Sequence, residues 1–325
     1  MNPSFSDSQI LQVDQLILHH YATSPFAEKI RAILSYKDLP WTSVEIPDVM
    51  PKPDLVALTG GYRRTPVLQV GAHIYCDTSL IAEQIERLAP TPALFPAEAA
   101  GTARIIAEWA DTTLWWTVAD YIFQTEQPAG AAAVLAHMSD DERAYFVADR
   151  KEFVAGRRRL KGGDATAALL IYLRRFETML IDDRVWLLGF TASIADFSVY
   201  QCVWFLQRAG PLASIMDDFP HVVSWYERVK RIVQPPHADM TSGAALVHAS
   251  DDPPVEIESD FYIDTHGISL GTQVTVTPLD VGRDPVKGEL VLALRDEIAV
   301  RRYDERVGEL IVHFPRVGFE LKKAE

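Results

Sequence analysis

Residues 22 to 31 read ATSPFAEKIR, with a serine placed before Pro-Phe where the apolar spacing starts a helix. Ser24 can accept a helix amide there, with Pro25 in the first helical position. Its hydroxyl, beside the positive end of the helix, can also hydrogen-bond a thiol and favour thiolate. The two roles are compatible. A second stretch, YRRTPVLQV, sets the Thr65-Pro66 bond at the front of an apolar run. Only an X-Pro bond adopts the cis form readily; the plainer reading is a proline opening an edge strand, with Arg64 as a surface charge. A third, CDTSLI, puts Asp77 and Thr78 where a helix begins. That pair is an ordinary N-cap, and it also marks a place where helix amides bind an anion.

These residues need a frame. QLILHHY is a short apolar run, and the helix after it carries Phe26, Ile30, Ile33 and Leu34 at helical spacing. WTSVEIP alternates as a strand, TPVLQVGAHIYC reads as two strands turning at Gly71, and DTSLIAEQIERLA is helical again. The order strand, helix, strand, loop, strand, strand, helix predicts an α/β layer. PTPALFPAEA marks a boundary, and from Gly101 to about Ile232 nearly everything is helical. RIIAEWADTTLWWTVADYIF reads as one long helix, and SDDERAYFVADRKEF opens on Ser139 and Glu142 in capping-box spacing. QPPHADMTSGAALVHASDDPP is a second linker by composition, and short strand-like runs follow it to the end of the chain.

Bulk properties exclude several classes. A formal net charge of -14 over 325 residues argues against a nucleic-acid partner. RRRL, residues 157 to 160, is the densest basic run and reads as a solvated helix face. Cys76 and Cys202 lie far apart and in no metal-ligand spacing, so neither a disulfide scaffold nor a metal site is expected. A reducing, cytoplasmic setting is the expectation. No signal peptide is expected at the N-terminus, and no stretch is apolar enough to enter a membrane.

Taken in order, TSPFAEKIR, RTPV, CDTSLI and a fourth stretch, WLLGFTASIADFSVY, resemble the cytosolic glutathione S-transferases of the serine type. The resemblance spans residues 16 to about 232. It implies a thioredoxin-like domain at 14–92 and an all-helical domain at 100–235. Residues 251–325 would form an additional β-rich domain outside the family pattern. It further implies that Ser24 stabilises the glutathione thiolate, with Tyr21 as runner-up because it stands one residue off the strand-end tyrosine of other classes. Arg64 would meet the glycyl carboxylate. Pro66 would be cis, and Val67 would pair with the cysteinyl backbone. Asp77, in place of the family's Glu, would face the γ-glutamyl ammonium, and Thr78, in place of Ser, its carboxylate. Ser193 and Asp196 would cap a buried helix, a folding role. Trp109, Trp115 and Trp116 would supply an apolar acceptor wall between the domains. The implied activity is conjugation of glutathione to a small apolar electrophile by a homodimer of the detoxification type. The alternative is a non-catalytic interaction or ligand-binding module on the same fold.

Overall fold

A computed structural model describes residues 16–182, 184–254 and 266–324. The first layer is β1 (Ile17–His20), α1 (Pro25–Tyr36), β2 (Thr42–Glu45), α2 (Pro53–Thr59), β3 (Val67–Val70), β4 (His73–Cys76) and α3 (Thr78–Leu88). β1 runs parallel to β2 and antiparallel to β3, and β3 runs antiparallel to β4. The alternation of β1 explains its place: Leu18 joins one hydrophobic core and Ile17 the other. α2 occupies part of the stretch expected to be loop. Pro53 opens it and Gly60 closes it at φ 78°, but at seven residues it is too short to show a period.

The helical part comprises α4 (Ala100–Trp109), a π-helical turn (Ala110–Leu114), α5 (Trp115–Ile122), α6 (Ala129–Val134), α7 (Asp140–Phe153), α8 (Gly162–Met179), α9 (Ile194–Gln207), a 3-10 turn (Gly210–Met216) and α10 (Pro220–Lys230). The single long helix expected over 104–123 is therefore broken by the π turn, which shifts the helical phase between its two halves. α7 and α9 begin with complete capping boxes, Ser139 with Glu142 and Ser193 with Asp196. α9 is buried almost throughout because it packs against α1, α4 and α10. α1 is consequently covered on both sides, and even its Glu28, Lys29 and Arg31 are buried. Arg157 to Leu160 lie beyond α7 in an irregular segment, not on a helix face.

The stretch read as a second linker carries β5 (Ala238–Asp239) and α11 (Ser242–Asp251). Thr241 caps that helix by accepting from the Ala244 amide. The tail follows as β6 (Gln273–Pro278), β7 (Val286–Ala293), β8 (Glu297–Asp304), β9 (Gly308–Pro315) and β10 (Phe319–Lys323). These strands do not make a sheet of their own. β9 pairs in parallel with β4, Ile74 opposite Val312, giving one ten-stranded sheet in the order β10-β6-β7-β8-β9-β4-β3-β1-β2-β5. The seam carries a polar chain: His73 Nδ1 lies 2.9 Å from His313 Nε2, and His313 Nδ1 lies 2.6 Å from Glu297. Tyr75 stacks on the His313 ring at 4.4 Å. Burial and the facing His313 push the His73 pKa down to about 4. A second core, holding Val44, Leu58, Ile74, Val312 and Phe314, runs beneath α2 and α11 and joins the tail to the first layer.

Candidate functional site

A cavity of about 1270 Å³ opens between the first layer and the helices, and the C-terminal strands supply part of its wall. Ser24 stands at its floor, 2% exposed, where the chain leaves β1 and enters α1. Its Oγ accepts the Ala27 amide at 3.2 Å, the cap expected of a serine before proline. A hydroxyl that accepts still carries a hydrogen to donate, so capping leaves Ser24 able to meet a thiolate. Tyr21 lines the same cavity. Its hydroxyl accepts from Arg150 at 3.4 Å, and the Lys52 ammonium lies over its ring at 5.5 Å.

Thr65 and Pro66 line the cavity, and the bond between them is cis. Val67 is wholly buried in β3 and does not reach the lining, which stops at Pro66 in this stretch. At the start of α3, Asp77 holds a left-handed φ of 76° and caps the helix. It accepts from the Ser79 amide at 3.0 Å and the Ser79 hydroxyl at 2.7 Å. Thr78 Oγ1 accepts from Lys29 Nζ at 3.2 Å. An ammonium can only donate, so the Thr78 hydroxyl hydrogen is left for a different acceptor. Lys29 is also paired with Asp111 at 2.6 Å, and burial raises the Asp111 pKa.

Arg64 does not stand free for a distant carboxylate. Its guanidinium is paired with Asp280 and donates to the Val281 carbonyl at 2.6 and 3.1 Å. It also lies 3.8 Å from Asp77, at the α3 end of the cavity. The cation on the other side of Thr65 is Lys52, which donates to the Thr65 hydroxyl at 3.1 Å. Burial, reinforced by the nearby Arg150 and offset in part by Asp149, lowers the Lys52 pKa to about 7. Sequence reading missed Lys52, whose only local signal is a lysine beside prolines. It also missed Arg150 and Asp280, which reach the site from distant elements.

The aromatic wall divides. Trp115 packs edge-on against Phe26 at 5.2 Å, and Trp116 lies under the Arg157 guanidinium at 4.2 Å; both line the cavity. Trp109 does not. It packs against Tyr172 and Phe176 of α8, because six residues before Trp115 is roughly a third of a turn away from the stripe of Glu108, Asp111, Thr112 and Trp115 that lines the cavity. The basic run at 157–160 is tied to buried Asp120, which accepts from Arg157, from Arg159 and from the Leu160 amide. Cys76 and Cys202 are unpaired and buried, and burial raises both thiols well above their ordinary range. Among the described residues no group of three or more His, Cys, Asp or Glu side chains is placed to hold a metal ion. No described helix is long and apolar enough to cross a membrane.

This fold and site define a class. Residues 18–93 match the model of the glutathione S-transferase N-terminal domain, and residues 164–228 that of the C-terminal domain. A solved structure of a GST-like protein from Pseudomonas syringae is 37% identical, with a TM-score of 0.77. The match covers 96% of this chain and 100% of that one, so it takes in the C-terminal strands. FtsZ-localized protein A of Caulobacter vibrioides is 26% identical over 244 residues, 72% of this chain and 96% of that protein. The structure of a glutathione transferase from Phanerochaete chrysosporium, 15% identical and covering 68% of this chain and 98% of that one, shares the fold at a TM-score of 0.54. The chain belongs to the glutathione S-transferase family.

Proposed function

We propose that the chain is a glutathione transferase that conjugates the glutathione thiolate to a small apolar electrophile. The observation that carries the reading is Ser24, a helix-start hydroxyl lining the same cavity as Trp115 and Trp116. The γ-glutamyl end would lie at Asp77 and Thr78, and the cysteinyl backbone along Thr65 and Pro66, without Val67. The glycyl carboxylate would turn toward Lys52 rather than Arg64, which Asp280 and Val281 already engage. Ser24 would donate to the thiolate sulfur while the α1 amino end adds its positive potential. The thiol proton is released to solvent, and the sulfur lone pair forms the new bond to an electrophilic carbon held against the two tryptophans while that carbon's leaving group, halide in an aryl halide, departs with its bonding pair; Trp109 has no part in that wall. Both partners are positioned before reaction, which removes the entropy of their encounter.

The test is Ser24→Ala. Hydrogen bonds to charged groups contribute about 1.5–3 kcal/mol, so the thiol pKa of bound glutathione should rise by roughly one to two units. Turnover near neutral pH should fall correspondingly, with glutathione affinity largely kept. An unchanged pH–rate profile in that variant sinks the assignment. The reading extends to a homodimer, checked by sedimentation, and to the cytoplasm, supported by two unpaired buried cysteines. A second reading, a non-catalytic interaction module, is favoured by the likeness to a protein named for its localisation with FtsZ. A thermal-shift titration with glutathione beside a conjugation assay with an aryl halide separates the two: this module would give neither a shift nor product.

A further inference from the structure

The loop between β6 and β7 reaches across the cavity and is held from two sides. The Gly282 amide donates to the Phe153 carbonyl at 3.0 Å, at the end of α7. Asp280 and the Val281 carbonyl engage Arg64 of the first layer. Arg64 thereby lies between two carboxylates, Asp280 from the loop and Asp77 from the start of α3. Within this group of three, one guanidinium stands against two carboxylates, so acid is in excess of base by one. The Asp280 side chain is 47% exposed, and a carboxylate has about four acceptor positions, so one arginine does not exhaust it. Next to this acidic pair stand the first turn of α3 and the Thr78 hydroxyl, whose hydrogen the Lys29 ammonium cannot accept. The combination of acid and donors suits a zwitterion.

We propose that Asp280, supplied by the C-terminal strands, is a specificity-determining residue that recognises the α-ammonium of the γ-glutamyl end of the thiol substrate. The inference rests on the reading of the cavity as a glutathione site. The α-carboxylate of the same group lies on the α3 start, and the ammonium takes acceptor positions of Asp280 and Asp77 that Arg64 leaves open. The module outside the usual family pattern is thus part of the binding site.

Calorimetric titration of the full chain and of Asp280→Asn with glutathione and with its desamino analogue, glutaryl-cysteinyl-glycine, decides the matter. A partly exposed charge pair contributes up to about 1 kcal/mol, so the substitution should cut the preference for glutathione roughly fivefold. Affinity for the desamino analogue should stay within about twofold. Equal weakening of both ligands would make Asp280 a loop anchor only and overturn the proposal, as would an unchanged preference. If neither thiol binds the unaltered protein, the reading of the site falls first and this inference with it.

Discussion

Replacing Lys52 by methionine should stabilise the protein below pH 7 and leave it nearly unchanged at about pH 10. Lys52 is 4% exposed, and its ammonium faces Arg150 and Arg63 as well as Asp149 and Asp48. Its pKa of about 7 in the fold stands against 10.5 for an ordinary lysine. The sign follows from proton counts. Below pH 7 both states hold the proton, and only the folded state bears the buried charge. Between about pH 7 and 10.5 the folded state releases it while the unfolded chain keeps it, so native stability rises with pH. An interval of 3.5 pH units at about 1.36 kcal/mol each gives an upper figure of roughly 5 kcal/mol. Methionine keeps the apolar stem and removes the charge. Urea unfolding of both proteins at several pH values from 6 to 10 should show a gap that closes as pH rises. A gap constant across that range refutes the reasoning. The same strain predicts that a ligand carboxylate placed at Lys52 raises its pKa, so that S-methylglutathione, which has no thiol proton to release, takes up a proton on binding near pH 8. Calorimetry in two buffers of different ionisation enthalpy reads that uptake directly.

Asp196 accepts four hydrogen bonds, from the Leu187 amide, the Ser193 amide and hydroxyl, and the Trp225 indole, with no exposure of its own. Asp196→Ala orphans buried donors and should cost about 3–5 kcal/mol in urea unfolding followed by tryptophan fluorescence; a loss under about 1 kcal/mol contradicts this account. Gly282 sits at φ 58°, and a Cβ there would lie 2.5 Å from the Phe153 ring. Gly282→Ala should therefore loosen the β6–β7 loop at a cost of about 1–3 kcal/mol, read as faster amide exchange over residues 279–285. Unchanged exchange in that segment would show that the loop is not pinned at Gly282.

What could be read in advance was local. Ser24 with Pro25, Ser139 with Glu142 and Ser193 with Asp196 announce helix starts, because each cap closes within three residues. α2 and α11 escaped notice because one is a single short turn-rich helix and the other lies in a stretch whose Gly, Ser and Pro content reads as linker. Trp109 stands six residues before Trp115, roughly a third of a turn off its face, and which face of that helix meets the cavity is set by the packing of α8 and α9. The role of Arg64 depended on Asp280, 216 positions away, and no pattern in either segment names the other. The charge on Lys52 is shifted by burial and by groups on α7, which only the assembled cavity brings together.

The parallel pairing of β4 with β9 has a consequence for biosynthesis. Ile74 and Val312 face each other across roughly 240 positions of chain. During translation the first layer and the helices emerge long before residues 308–315, so β4 waits with its outer row of amides and carbonyls uncovered. Such distant contacts close slowly, because the loop entropy is spent before the pairing repays it. The nascent chain is therefore most exposed to mispairing in this interval, with His73 to Cys76 as the strand a chaperone would have reason to shield.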